Sequence, residues 1–177
     1  MIIRTIASAL CAVTLLACAK TAARAATPTL AYRGSNACGR FTAFAIGEQP
    51  FEVLVVAGDE AKLGLSHGQG KDIDIAAGLI DVHVEMGGGF PVCGDVYSSD
   101  VPPVRWPAVS GRVMIMSAKI PDEWVSARVP ADWPYAEVEY VLTMRIRDLI
   151  IKGPAGEIVH APRDIVLFGV AGLGPGP

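Results

Sequence analysis

A short glycine-rich motif is the first place where residue types and spacing could support catalysis. Gly64, Ser66 and Gly68 match the pattern G-x-S-x-G, which in α/β-hydrolases places a nucleophilic serine on a sharp turn between a strand and a helix. Here Gly70 and a strand pattern from Lys71 onward follow the motif, where a hydrolase would have a helix. The motif therefore predicts a glycine-rich hairpin, and no catalytic residue is assigned.

A second set of chemically competent side chains alternates with apolar residues on two predicted strands. Carboxylate oxygens together with an imidazole could hold a divalent cation. Acidic residues at alternate positions of a solvent-facing strand usually serve solubility, and the chain has no D-x-[DN]-x-[DN]-G calcium loop. No metal site and no cofactor are predicted from this set, which comprises Asp72, Asp74, Asp81, His83 and Glu85.

Cysteine usage indicates one disulfide bond. Cys11 and Cys18 fall in the N-terminal segment, which leaves Cys38 and Cys93 in the rest of the chain. Two cysteines in an exported domain favour a disulfide because the compartment is oxidising. The bond would close a loop of 54 residues and stabilise the fold by about 4 kcal/mol. The alternative is two separate thiols, either buried or free.

Residues 87–107 form the most unusual stretch of the chain, because they are rich in glycine and proline and contain three aromatic residues. Loops longer than about 12–15 residues are uncommon in compact domains and are often functional. Phe90, Tyr97 and Trp106 could offer contact area to a ligand or a protein partner. The alternative is that these rings cap the ends of the core, with residues 104–106 in an edge strand.

Strand periodicity dominates the chain from residue 40 onward. In residues 137–147 apolar side chains alternate with mostly polar ones, which predicts a long strand with one buried face. The buried set of this strand is Val138, Tyr140, Leu142, Met144 and Ile146. Further strands are predicted at residues 40–46, 51–57, 71–77, 80–86, 112–119, 149–152, 157–160 and 165–170, with a hairpin turn at 153–156.

Eight or nine short strands separated by glycine and proline turns predict a single all-β domain. We expect an antiparallel β-sandwich, immunoglobulin-like in general type, with a small β-barrel as the alternative. The sandwich is placed at residues 38–172, after an N-terminal linker at 26–37 and before a Gly/Pro tail at 173–177.

The first 25 residues have the layout of a secretory signal peptide. Arg4 precedes an uncharged run over residues 5–19, which is shorter than the roughly 20 residues that a bilayer span needs. Ala23 and Ala25 form an A-x-A site before Ala26, which predicts soluble export to the periplasm or beyond. The alternative is a lipoprotein signal over residues 1–17 with Cys18 lipidated, which would anchor the protein in the cell envelope.

Charge narrows the classes of partner. Removal of residues 1–25 leaves 152 residues and takes away three basic residues and no acidic one, so the net charge changes from −3 to −6. An acidic surface argues against nucleic acid and anionic membrane as electrostatic partners, so membrane contact is expected only through a lipid anchor.

We therefore expect an exported bacterial cell-envelope protein, a non-enzymatic binding or structural module with a protein or small-molecule partner. A small exported hydrolase without a linear motif is the alternative, and the sequence leaves the oligomeric state open.

Overall fold

The computed structural model describes residues 26–38, 41–49, 51–65, 70–87, 102–119 and 139–172. These residues form nine strands, one four-residue helix, α1 (Glu60–Leu63), and one 3-10 helix (Ile75–Ala77). No helix in this part of the chain is long and apolar enough to cross a membrane. The strands are β1 (Tyr32–Cys38), β2 (Thr42–Gly47), β3 (Glu52–Gly58), β4 (Gly70–Asp74), β5 (Ile80–Met86), β6 (Val104–Lys119), β7 (Glu139–Lys152), β8 (Ile158–His160) and β9 (Ile165–Gly172).

All nine strands belong to one antiparallel sheet that is curled into a half-barrel. The order is β1-β2-β3-β5-β6-β7-β8, while β4 pairs with β6 and β9 pairs with β7. The first residues of β6 pair with β5, and its later residues pair with β4. In the same way β7 pairs with β9 and then with β8. The two longest strands therefore connect both halves of the sheet.

A bulged region bends β6 and β7 where one half of the sheet passes into the other. The register shifts on both sides of Ser110, and Asp148 on the opposite strand has a φ of 51°. Gly111 has a φ of 134°, and a Cβ there would lie 3.0 Å from the carbonyl oxygen of Arg147 and 3.2 Å from Cα of Leu149. Extra residues in one strand increase local twist and bending, so this region curls the sheet.

The curl brings β9 against β1. The Ser35 hydroxyl donates to the Phe168 carbonyl at 2.9 Å and accepts from the Phe168 amide at 2.7 Å. A Cβ on Gly169 would lie 2.3 Å from the amide nitrogen of Ala37, so the close approach requires glycine at this position. The Ser35 hydroxyl therefore satisfies the backbone N–H and C=O of Phe168, which would otherwise need a neighbouring strand as their hydrogen-bond partner.

The core lies on the inner face of the curled sheet. On β5 the apolar residues that alternate with Asp81, His83 and Glu85 are all buried, and so are the residues predicted to face inward in 137–147 for which the structure describes the side-chain burial. Full burial of each such side chain contributes about 1.5–3 kcal/mol. The two confirmed sets are Ile80, Val82, Val84 and Met86 on β5, and Leu142, Met144 and Ile146 on β7.

The all-β antiparallel prediction is confirmed, while several boundaries differ from the sequence analysis. Tyr32–Cys38 forms β1, so the interpretation of these residues as a linker is wrong. The predicted strand at 71–77 ends at Asp74, whose carboxylate accepts from the amide of Ala76 and starts the 3-10 helix. Gly78 then ends that helix with a φ of 69°.

Candidate functional site

Several predicted site residues lie outside the described residues, namely Cys18, Ser66, Phe90, Cys93 and Tyr97. Cys38 is disulfide-bonded, and its partner is not among the described residues. The pairing of Cys38 with Cys93 therefore stays a prediction.

Trp106 does not lie on an exposed loop. It is part of β6, opposite Val84 of β5, and its side chain is 1% exposed within the core cluster. The interpretation of Trp106 as a partner contact is corrected, because its ring has no surface to offer. Its indole nitrogen is buried and has no acceptor in the described part of the chain.

The acidic residues considered for a metal site are divided between two strands, and one on each, Asp72 and Asp81, is paired with arginine. Asp72 on β4 accepts from Arg112 at 3.1 and 3.2 Å and from Arg147 at 3.2 Å. The hydrogen bond to Asp72, followed by its charge, raises the pKa of Arg112. Asp81 on β5 is bonded to Arg105 instead. Among the described residues no group of three or more His, Cys, Asp or Glu side chains could hold a metal ion.

His83 was expected on the wet face of β5, but its side chain is buried. Its Nδ1 lies 2.9 Å from Nη2 of Arg105, and its Nε2 lies 3.3 Å from Oε1 of Glu85. The Arg105 guanidinium can only donate to Nδ1, whereas the Asp81 carboxylate, 3.3 Å from the same nitrogen, can only accept. The ring therefore lies between the Arg105 guanidinium and the carboxylates of Asp81 and Glu85.

A fully buried carboxylate belongs to Glu52 at the start of β3. Its Oε2 accepts from the amide and the hydroxyl of Thr29, both at 2.9 Å, and its Oε1 accepts from the amide of Leu30 at 2.8 Å. These bonds fasten residues that precede β1 to the core. Leu30 itself is buried with a φ of 56°, a conformation that a leucine holds only when its surroundings fix it.

The hydroxyl of Tyr32 lies close enough to the Glu52 carboxylate for its negative charge to affect the pKa of the tyrosine. Burial, and after it the charge of Glu52, raises the pKa of Tyr32. The hydroxyl oxygen is buried and makes no hydrogen bond of normal geometry with the described residues. The Glu52 side chain is closed to solvent and its hydrogen bonds are internal, so its role is structural.

Among the described residues, three of the seven large apolar side chains that are exposed lie on the outer face of three neighbouring strands. Val166 and Phe168 of β9 are 60% and 57% exposed, and Met116 of β6 is 53% exposed. Strand β7 lies between them: Met116 is opposite Thr143, which is opposite Phe168. One step along, Met114 is opposite Arg145, which is opposite Val166. We call these six residues the β6–β7–β9 face.

Arg145 is the single charged member of this face. Its side chain is 56% exposed, and its Nε donates to Asp164 at 2.8 Å. None of the described residues accepts from its two Nη groups. The face therefore presents apolar surface around a cation whose Nη groups have no acceptor in the described part of the chain.

Sequence reasoning did not single out the β6–β7–β9 face. Residues 165–170 were read as an apolar strand, which gave no sign that Val166 and Phe168 point outward. The sequence does indicate that Thr143 and Arg145 point outward, because polar residues alternate along β7. Residues directly opposite them on a paired strand, here Phe168 and Val166, must lie on the same outer face.

Comparison of the chain with protein-family models, with curated proteins and with solved structures finds no match.

Proposed function

We propose that this protein is an exported, non-enzymatic module of the bacterial cell envelope that binds a protein partner through the β6–β7–β9 face. The observation that carries the proposal is the exposure of Met116, Val166 and Phe168 on β6 and β9, the two strands that flank β7. Single exposed apolar residues are common on protein surfaces, whereas contiguous ones mark interaction sites.

The residue types on this face support a protein as the partner. Aromatic residues, methionine and arginine are enriched at the centres of protein interfaces relative to the rest of the surface. The face combines Phe168, Met116 and Arg145 in that way. Its backbone is held by strand pairing on both sides of β7, so binding would order side chains without ordering a loop.

The finer fold assignment belongs to the same proposal. We infer a β-sandwich of immunoglobulin-like general type, in which the two halves of the curled sheet act as layers over one core. The support is that β6 and β7 run through both halves and contribute buried side chains to a single cluster. In that arrangement the β6–β7–β9 face is the outer surface of one layer.

Export is tested by the intact mass of protein isolated from its native host. We expect a chain that begins at Ala26, because the A-x-A pattern ends at Ala25. An acylated chain that begins at Cys18 would instead assign the lipoprotein route. A chain that still carries Met1 would contradict export by either route.

Binding through the face is tested with a photo-reactive phenylalanine analogue placed at position 168. The matched control carries the same analogue at Ile158 of β8, which is 50% exposed away from the face. Irradiation of living cells should give a covalent protein adduct from position 168 and none from position 158. Equal adducts from both positions, or no adduct from position 168, would contradict the proposal.

A further inference from the structure

We propose that the ligand of the β6–β7–β9 face is a short peptide segment of the partner, in which a carboxylate is flanked by apolar side chains. The carboxylate binds Arg145, and the apolar groups pack on Phe168, Val166 and Met116. This inference rests on the proposed binding function and specifies what is bound there.

The area of the face is better suited to binding a short peptide segment than to binding the surface of a folded protein. Neighbouring strands are about 4.8 Å apart, and side chains on one face repeat about every 7 Å along a strand. Two rows on three strands, with the width of their side chains, give an area on the order of 300 Å². A stable interface between folded proteins needs about 800 Å² on each partner. An extended segment of about five or six residues would cover the face.

A second copy of the chain fits this face less well than a foreign segment does. The area is below what a stable dimer needs. The chain also carries a net charge of −3, and −6 without residues 1–25, so two copies repel each other.

The two Nη groups of Arg145 favour a carboxylate as the ligand. Asp72 is shared by Arg112 and Arg147, and Asp164 accepts from Nε of Arg145, so among the described residues both Nη groups of Arg145 have no acceptor. The two Nη groups of a guanidinium form a fork that matches both oxygens of a carboxylate. A bound segment would cover Arg145 and exclude water from it, and hydrogen bonds to a charged group strengthen when water is excluded.

The flanking residues select apolar neighbours for that carboxylate. Met114 and Val166 lie on either side of Arg145, and Met116 and Phe168 lie in the next row. A segment that crosses the three strands would thus contact Arg145 at its centre. Its residues on either side, and those above the next row of cross-strand neighbours, would contact apolar side chains. Methionine adapts its shape to different neighbours, so the apolar positions of the segment can vary more than the acidic one.

The test is selection from a library of random nonapeptides displayed on phage, against the full mature protein and three variants. We expect the enriched peptides to share one Asp or Glu flanked by apolar residues. With Arg145→Gln the acidic residue should disappear from the consensus, and synthetic consensus peptides should bind about tenfold more weakly. Lys152→Gln, which removes an exposed cation at the far end of β7, should leave both results unchanged. With Phe168→Ser the enrichment should be lost.

The outcomes separate this inference from the proposed function. Enriched peptides that need Phe168 but carry no acidic residue would overturn the carboxylate ligand and leave the face as a binding site. Enrichment that is unaffected by Phe168→Ser would count against both. A failure to enrich any peptide would overturn the short-segment ligand, while cross-linking from position 168 would still report on a protein partner.

Discussion

At the scale of single residues, Glu52 shows how a buried charge can be held by internal hydrogen bonds. Each of its oxygens accepts from an amide of the segment before β1. We predict that Glu52→Gln lowers the free energy of unfolding by about 1–3 kcal/mol, because the amide NH₂ would replace one acceptor and face a buried donor. Urea denaturation measures this loss.

Glu48→Gln is the matched control for Glu52→Gln, because it makes the same chemical change at an exposed position in the connection between β2 and β3. We expect it to change the free energy of unfolding by less than about 0.5 kcal/mol. Equal stabilities of the two variants would show that the hydrogen bonds from Thr29 and Leu30 contribute nothing net.

Tyr32 gives a prediction about alkaline pH. Its pKa is raised in the folded state by burial and by the charge of Glu52, while the unfolded chain keeps a value near 10. Below pH 10 both states hold the proton, so this group causes no pH dependence. Above pH 10 the unfolded state loses the proton first, and stability falls by up to about 1.4 kcal/mol per pH unit.

The measurement compares wild type with Tyr32→Phe in urea denaturation between pH 8 and pH 11. Wild type should lose stability more steeply above pH 10, and the two slopes should coincide at lower pH. Parallel curves over the whole range would mean that the hydroxyl is not buried beside Glu52.

At the scale of elements, strands were predictable where alternation and burial agree. Residues 80–86 were predicted as a strand and form β5 with the same bounds. β1 was missed because its sequence is polar and contains Gly34, and pairing with β2 makes it a strand. The first part of β6 was predicted only as an alternative, an edge strand at residues 104–106, because the prolines around Trp106 resemble a loop; it is a strand, but an inner one between β5 and β7. β7 was predicted as two strands, whereas its ladder continues past Asp148 through the bulge.

The bend between β6 and β7 leads to a prediction for Gly111. Its φ of 134° disfavours any residue with a Cβ, and that atom would crowd the backbone of β7. Gly111→Ala should therefore lower the free energy of unfolding by about 1–3 kcal/mol. Gly34→Ala is the control, because a Cβ there meets nothing within 4 Å. Thermal melts that rank the two variants alike would refute the role of Gly111.

At the scale of the whole molecule, the candidate site depends on three segments that are far apart in sequence. Met116, Arg145 and Phe168 become neighbours only through the registers of β6 with β7 and of β7 with β9. The outward parity of Arg145 could be predicted from its own strand. The neighbours of Arg145 could not, because strand order and register arise from tertiary packing and not from local pattern.

The disulfide acts on the whole molecule because Cys38 ends β1, the strand whose other side meets β9. Closure of a 54-residue loop with Cys93 restricts the unfolded chain, so reduction should lower the free energy of unfolding by about 4 kcal/mol. We expect no alkylated thiol in the native mature protein and one disulfide-linked peptide pair that contains both cysteines. A Cys38→Ser, Cys93→Ser double variant should be insensitive to reductant. Two thiols alkylated without prior reduction would contradict the bond, and a linked peptide with a different cysteine would contradict the pairing.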